Sequence, residues 1–382
     1  MELRTFIDAY IDVNILMALS MGLWFLARRL LVSFGLAHSY KTQVRLLNGV
    51  FLATLISPLL AVVVGSVLSS ASFGALRAFN ISDFITAQYL NGSFEMAPSA
   101  FEHALGFRTR LLNGLEYMDT PIGVALVAFL VAGFFAAVLR LGLGFAGLSR
   151  VLSDSTIWRQ FGSLELRVSD TVTVPFSTRT LRRRIIIVPS SLMECPADLK
   201  IALSHELQHF RHHDLEWEIA LECLKPFFFW NPAFTLWKRN FERLRELSCD
   251  QSLLERRTID AGAYCQSLLN ICENSLKSRR LFAVQVPRVP LIETRKLFLG
   301  RSSATLLRQR LVSLIEGKTE RHPRALFGFV FVPLLVLTVA GSLAIRKSDD
   351  WSHDRLMLAT IVNLERLAVH NDTVASVLAI RP

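Results

Sequence analysis

The sequence predicts an α-helical membrane protein with four transmembrane helices and an α+β domain between the third and the fourth. Two observations carry this prediction. Of the 382 residues, 52% are hydrophobic, which is more than a typical soluble protein has, and the excess is concentrated in four apolar blocks. The stretch between the third and fourth blocks instead combines short β-branched runs with amphipathic helical patterns.

The four apolar blocks are each about as long as the roughly 20 helical residues that a bilayer core requires. Buried helices of a soluble core are the alternative, but such helices are usually shorter and less uniformly apolar. The first block could also be a signal peptide, yet the acids Glu2, Asp8 and Asp12 lie before it or at its start, and Arg28 and Arg29 follow it, the reverse of signal-peptide order. We therefore expect four retained helices, at 11–27, 49–68, 120–141 and 325–345.

The charges between the blocks predict the topology, because Lys and Arg near helix ends accumulate on the cytoplasmic side. The loop 28–48 has four basic residues and no acids, whereas acids outnumber bases in the loop 69–119. We expect 145–324 in the cytoplasm, and the N-terminus, the loop 69–119 and the tail 346–382 outside. The predicted domains are then a membrane region at 1–144, a cytoplasmic domain at 145–324, the fourth span and a short outer tail.

Nearly all of the net charge of +10 lies in 145–324. Anionic lipid attracts basic residues close to a membrane, so membrane lipid is an expected partner. Direct binding of nucleic acid is not expected, because no recognition motif accompanies the charge. All five cysteines lie in the same segment without C-x-x-C spacing, which fits reduced thiols in the cytoplasm.

Secondary structure within this segment follows from local patterns. Three short strands are expected at 164–170, 171–177 and 182–191, where β-branched residues are enriched. Pro196 and Asp198 have the properties of a helix N-terminus, so a helix should carry the residues that follow. Further helices are expected at 215–225, 233–257, 259–276 and 304–316.

The expected helix after Pro196 contains SHELQHFRHHD at 204–214. His205 and His209 are four residues apart, so both imidazoles can bind one tetrahedral zinc ion. Glu206 cannot join them, but it can take a proton from a zinc-bound water as a general base. The alternative is a solvated helix face that happens to carry histidines. His212 and His213 lie too far along the helix to share a metal with His205.

A third protein ligand must come from a separate element, because two histidines and a water leave one tetrahedral position open. The segment RELSCDQ at 245–251 supplies Glu246, with Asp250 four residues later on the same face. Glu246 would bind the zinc, and Asp250 would accept a hydrogen bond from a ligand histidine. Glu242, one turn earlier, remains an alternative ligand.

RIIIVPSSL, HELQHFRHHD, FFFWNPA and RELSCD occur in this order over 184–250. On these segments and the four spans, the chain resembles the BlaR/MecR-type membrane metallopeptidases, bacterial signal transducers of inducible β-lactam resistance. The resemblance implies a zincin-like (gluzincin) fold for the cytoplasmic domain. It also implies His205, His209 and Glu246 as zinc ligands, Glu206 as catalytic base and Asp250 as the carboxylate that orients a ligand.

The same resemblance implies that RIIIVP is an edge strand on which a substrate lies extended. Family members are thought to clip themselves between the zinc site and the fourth span, so 276–296 is a predicted self-cleavage or regulatory segment. A solvated basic linker is the alternative. Residues 346–382 contain no S-x-x-K motif, so we expect that the chain departs from the family here and lacks its penicillin-binding sensor domain. The loop 69–119 and the tail, which could form an amphipathic helix, remain as candidates for signal input.

The expected function is a zinc-dependent endopeptidase of the bacterial cytoplasmic membrane. Its expected partners are a cytoplasmic protein substrate such as a helix-turn-helix repressor, membrane lipid, and a second copy of the chain. A CAAX-type or quality-control membrane metalloprotease is one alternative, and a non-catalytic signalling protein that retains the zinc fold is another. A small transporter is disfavoured, because the spans carry few ionisable residues.

Overall fold

The computed structural model is mostly helical and has one small sheet. It describes residues 2–70, 81–118, 120–180, 182–256, 259–277, 289–290, 302–316, 323–345, 357–365 and 367–368. Most of the predicted cleavage segment 276–296 therefore lies outside the described residues.

The first half of the chain and its last long helix include the four predicted spans. The helices are α1 (Glu2–Ser33), α2 (Tyr40–Ser70), α3 (Ile81–Leu90), α4 (Pro98–Leu105), α5 (Phe107–Tyr117) and α6 (Pro121–Asp154). Among the described residues, four helices are long and apolar enough to cross a membrane: Phe6–Ser33, Tyr40–Leu60, Pro121–Asp154 and, near the C-terminus, Arg324–Ile345. The four predicted spans are thus confirmed as membrane-length helices.

One compact unit comprises Met1–Ser20, Val50–Leu130 and Val332–Pro382. Its small core joins Phe101 of α4 to Leu358 and Val362 of a helix at 357–365, where the predicted tail helix is found. Arg108 of α5 forms ion pairs with Asp8 at 3.1 Å and Asp12 at 2.9 Å. The loop between the second and third spans and the tail therefore pack together within this unit.

The second unit comprises Met21–Gly49 and Val131–Phe331, and it contains the sheet. The strand order is β1-β2-β4-β3-β5. Strands β2 and β4 pair in parallel, whereas the other neighbours are antiparallel. The strands are β1 (Thr156–Phe161), β2 (Leu164–Ser169), β3 (Phe176–Arg179), β4 (Arg184–Pro189) and β5 (Val289–Pro290).

Two of the three expected strands are found, as β2 and β4. The expected strand at 171–177 is largely wrong, because β3 begins only at Phe176. Pro175 has no N–H to donate to a ladder, which explains why the preceding β-branched run stays outside the sheet. Strand β1 was not expected, and all six of its residues are exposed, so it lacks the buried face that gives a strand its alternating pattern.

The expectation that RIIIVP is an edge strand is wrong. These residues form β4, which lies between β2 and β3. Ile185, Ile186, Ile187 and Val188 are all buried, and an unbroken apolar run of this kind is typical of a strand covered on both faces. The strand next to it, β3, pairs on its other side with the two-residue strand β5.

Among the described residues, five α-helices follow strand β4 and precede the last span, and they agree with the expected ones. Asn231 caps α9, because its side chain accepts a hydrogen bond from the Ala233 N–H at 2.9 Å, and Pro232 occupies the first turn. The helices are α7 (Pro196–His212), α8 (Asp214–Leu224), α9 (Pro232–Leu254), α10 (Ala261–Lys277) and α11 (Ser302–Glu316), followed by α12 (Pro323–Ile345).

Candidate metal centre

The two motif histidines lie on α7 and converge at one point. Both side chains are 0% exposed, as is Glu206 between them. His205 Nε2 and His209 Nε2 are 3.1 Å apart. The alternative of a solvated histidine face is therefore excluded for this pair. His213 ends α7 in a left-handed conformation and is exposed, whereas His212 is half-buried and contacts Gln208 and Ser252.

Glu246 of α9 completes a group of three potential metal ligands, with His205 and His209, around this point. Its Oε2 lies 3.5 Å from His205 Nε2, and its Oε1 lies 3.8 Å from His209 Nε2. Two ligands of a tetrahedral zinc at about 2.0–2.1 Å would be about 3.3 Å apart. The 3.1 Å between the two histidine nitrogens is close to this value. One oxygen of Glu246 lies within 4.8 Å of both nitrogens, so the three residues could hold one metal ion. Glu242 does not reach this group; it lies 3.5 Å from Lys238.

The hydrogen bonds of the outer ring nitrogens fix which histidine atoms face the centre. His209 Nδ1 donates to Asp214 Oδ2 at 2.7 Å. Tyr264 donates its hydroxyl proton to Asp250 at 2.6 Å, so His205 Nδ1, 2.8 Å from that hydroxyl, must donate to its oxygen. Both Nε2 atoms then carry lone pairs. Two lone pairs and a carboxylate point at one another, an arrangement that a bound cation stabilises.

Asp214 reaches His209 because of the backbone at the end of α7. His213 adopts φ 61°, which ends the helix and starts α8 at the next residue. Cys249 lies 3.2 Å from the same nitrogen, and His209, Asp214 and Cys249 form a second group with metal-binding residue types. Burial raises the pKa of the Cys249 thiol well above its usual value. Because His209 Nδ1 donates its proton to Asp214, this nitrogen has no lone pair to offer a metal in the second group.

Glu206 is fully buried and close enough to Glu246 for the two carboxylates to interact electrostatically. Neither of its carboxylate oxygens has a hydrogen-bond partner of good geometry among the described residues. Burial raises the pKa of Glu206 to about 8, an effect opposed by the nearby Ser177 hydroxyl and the guanidinium groups of Arg245 and Arg310. A buried carboxylate of this kind normally has a water or ion as its partner. The position suits a group that exchanges a proton with a water at the centre.

Arg310 and Arg245 hold the carboxylates of α9 in place. Arg310 Nη1 lies 3.2 Å from Glu246 Oε2, and its other nitrogens bind Asp250. Arg245 lies 3.3 Å from Glu246 Oε1 and bridges to Glu218 at 2.9 Å. The two guanidinium groups balance the acidic residues, so Glu246 can remain ionised in a buried site.

The structure brings the five predicted site residues together. Asp250 does not contact a histidine by a short hydrogen bond; its Oδ1 is 3.4 Å from His205 Nδ1, and Tyr264 bridges the two. Asp214, Tyr264 and Arg310 were not anticipated. Asp214 follows the motif directly and could have been found as an acid near its end, whereas no local pattern marks Tyr264 or Arg310.

Comparison with known proteins agrees with this donor set. The family model for the BlaR1 peptidase M56 matches residues 23–292, which include the three candidate metal ligands His205, His209 and Glu246. No curated protein matches the chain. The match covers most of the sequence. A membrane metallopeptidase is also what the candidate metal ligands and the four membrane-length helices indicate. The chain therefore belongs to the BlaR1 peptidase family M56, a family of membrane metallopeptidases.

Proposed function

We propose that the protein is a zinc-dependent endopeptidase of the bacterial cytoplasmic membrane that transmits a signal by cutting a cytoplasmic protein. The observation that carries this proposal is the convergence of two histidine lone pairs and one carboxylate within 3.8 Å of one another. Two nitrogens and one oxygen in tetrahedral positions, with the fourth left for water, are the ligand set of a catalytic zinc.

In this proposal His205, His209 and Glu246 hold the zinc, which would supply an acidified water and polarise the scissile carbonyl. Beside a bound cation the Glu206 carboxylate would be ionised despite its raised pKa. It can then accept the proton of that water and later donate it to the leaving amine nitrogen. Asp214 and the Tyr264 hydroxyl, the latter held by Asp250, keep each imidazole in the tautomer that presents Nε2.

The substrate would bind as an extended strand along β3. Ser177 of β3 lies close enough to Glu206 to lower the pKa of that carboxylate, so a peptide on this strand passes the proposed base. Residues 289–290 of the chain itself pair antiparallel with 176–177. This pairing supports β3, rather than β4, as the docking strand, and it supports the prediction that 276–296 is a regulatory or self-cleaved segment.

The charge pattern supports the topology proposed with this function: residues 145–324 in the cytoplasm as a gluzincin-like domain, and the N-terminus, the loop 69–119 and the tail outside. A helix-turn-helix repressor is the proposed substrate class, by resemblance to the family's signal transducers. The outer loop and tail share one small core, which supports them as a single signal-input element.

Expression of the wild type beside Glu206→Gln tests the proposal. The wild type should yield a fragment cut within 276–296, and Glu206→Gln should stay intact while folding normally. Glu194→Gln, which removes an exposed acid near the start of α7, is the matched control and should be cut like the wild type. Cleavage that persists in Glu206→Gln would contradict the proposed role of Glu206.

A further inference from the structure

A cavity of about 420 Å³ lies between the third membrane-length helix and the helices α8 and α9. It is separate from the metal centre, and its size is within the range of small-molecule sites. Its wall on α6 is formed by Gly133, Ala136, Ala137, Arg140 and Leu141. The opposite wall is formed by Glu222, Lys225, Phe229, Phe234, Thr235, Lys238, Arg239 and Glu242.

Four basic side chains line this cavity, and two of them have no acidic partner within the described part of the chain. Lys238 lies 2.8 Å from Glu218 and 3.5 Å from Glu242, so its charge is balanced. Lys225 lies 3.4 Å from Glu222, but Glu222 also forms an ion pair with Lys238, so one acid is shared between two lysines. Arg140 and Arg239 are exposed and form no ion pair among the described residues.

Lys225 lies close enough to Lys238 and Arg140 to be repelled by their charges. The pKa of Lys225 is lowered, first by its partial burial and further by the charges of Lys238 and Arg140, although Glu222 opposes the shift. Like charges that face one cavity are costly unless an anion lies among them. An anionic group at this position would relieve the repulsion and give Arg140 and Arg239 a partner.

The other half of the cavity is apolar and made of small residues. Gly133, Ala136 and Ala137 lie on one side of α6 and leave a shallow groove along the helix. The ring of Phe229 closes one side of this groove; a Cβ on Gly133 would lie 2.1 Å from it. Only 6% of the most apolar window of α6 is buried by the rest of the chain, so this helix is open to lipid.

The position of Arg140 along α6 places the basic half at the membrane surface. At 1.5 Å per residue, Arg140 lies about 29 Å along the axis from Pro121, at which α6 begins. The hydrocarbon core is about 30 Å thick, so Arg140 comes where a span starting at Pro121 leaves it. Phosphate groups of lipids lie at this depth, and acyl chains lie beside the residues just before it.

We propose that this cavity binds one anionic phospholipid, its phosphate among Arg140, Lys225 and Arg239 and an acyl chain against Gly133, Ala136 and Ala137. A phospholipid has both an acyl chain for the apolar groove and a phosphate for the basic rim, whereas a free anion would leave the apolar groove empty. The site therefore favours a lipid over a free anion. Net positive charge around the rim selects an anionic over a zwitterionic lipid.

Native mass spectrometry of the full chain in detergent, with added phosphatidylglycerol or phosphatidylcholine, measures the retained lipid. The wild type should retain one phosphatidylglycerol in preference to phosphatidylcholine. The triple variant Arg140→Gln, Lys225→Gln, Arg239→Gln should bind phosphatidylglycerol about 100-fold more weakly, roughly fivefold for each charge removed. The variant Ala137→Trp, which fills the groove without changing charge, should also lose the lipid.

The matched control is Arg150→Gln, which removes an exposed basic residue of the same helix outside the cavity and should leave lipid retention unchanged. Melting curves show whether each variant is folded. If the triple variant does not fold, Arg140→Gln and Arg239→Gln are measured as single variants. Equal retention of the two lipids, or full retention by the triple variant, would overturn the proposal. Displacement of phosphatidylglycerol by inorganic phosphate alone would assign the site to a free anion instead.

Discussion

Arg310 donates two hydrogen bonds to Asp250, from Nε at 2.7 Å and from Nη2 at 2.8 Å. The same guanidinium lies 3.2 Å from Glu246, so one residue of α11 fixes two carboxylates of α9. Arg310 comes after residue 292, where the match to the family model ends. The helix that follows the proposed cleavage segment therefore supports the metal centre directly.

We predict that Arg310→Gln weakens zinc binding about 10–100-fold, because Asp250 and Glu246 lose the cation that positions them. Chelator competition on the purified protein measures this affinity. Arg308→Gln is the matched control, since Arg308 is exposed on the same helix and should leave the affinity unchanged. Wild-type affinity in a folded Arg310→Gln protein would show that Glu246 is held by other contacts.

Tyr264→Phe should keep the fold and weaken zinc binding by about tenfold. The substitution removes only the hydroxyl that accepts from His205 Nδ1 and donates to Asp250. Without it, His205 loses the contact that selects its tautomer, and Asp250 loses one donor. The same chelator competition tests this, with the melting temperature as the check on folding. A large loss of stability with unchanged affinity would instead make Tyr264 a residue of the core alone.

The ion pairs of Glu218 with Lys238 and Arg245 should make part of the free energy of unfolding depend on pH in the acid range. Burial alone would raise its pKa, but attraction from Lys238 and Arg245 outweighs burial and lowers it below the usual value. A carboxylate with a lowered folded pKa stabilises the protein above its unfolded pKa of about 4.3, and this contribution is lost as the pH falls through the folded pKa.

The melting temperature of Glu218→Gln should therefore be well below that of the wild type at pH 7, since removing one partner of a buried ion pair costs about 3–5 kcal/mol. The gap should narrow as the pH falls below about 4. Glu194→Gln is the control, because Glu194 is exposed, and it should follow the wild type at every pH. A gap that stays constant with pH would argue against an ionised Glu218.

The proposed topology predicts opposite results for reporter fusions at residues 95 and 200. Alkaline phosphatase is active only outside the cytoplasm, so a fusion at 95 should be active and one at 200 inactive. A fluorescent protein that folds only in the cytoplasm should give the reverse pattern. Active phosphatase at 200 would place the metal centre outside and exclude a cytoplasmic substrate.

The sequence predicted those parts of the structure that depend on local pattern. The four spans, the helix with His205 and His209, and the i,i+4 spacing of Glu246 and Asp250 follow from helical periodicity and hydropathy. Tyr264 and Arg310 were missed because they reach the centre from separate helices through tertiary packing. The edge-strand expectation came from the family resemblance and is wrong for RIIIVP, which pairs with a strand on each side. Strand order is set by pairing between distant segments, which the residues of a single strand do not encode.

The central claim is that His205, His209 and Glu246 bind one zinc ion. The zinc content per chain of purified variants, measured by inductively coupled plasma mass spectrometry, tests this claim most directly. The account predicts one zinc in the wild type, in Glu206→Gln and in Glu242→Gln, and its loss in His205→Ala, His209→Ala and Glu246→Gln. Glu246→Gln and Glu242→Gln form the matched pair, since both remove a charge from one face of α9 one turn apart. Full zinc in Glu246→Gln, or a folded wild type that takes up none, would contradict the account.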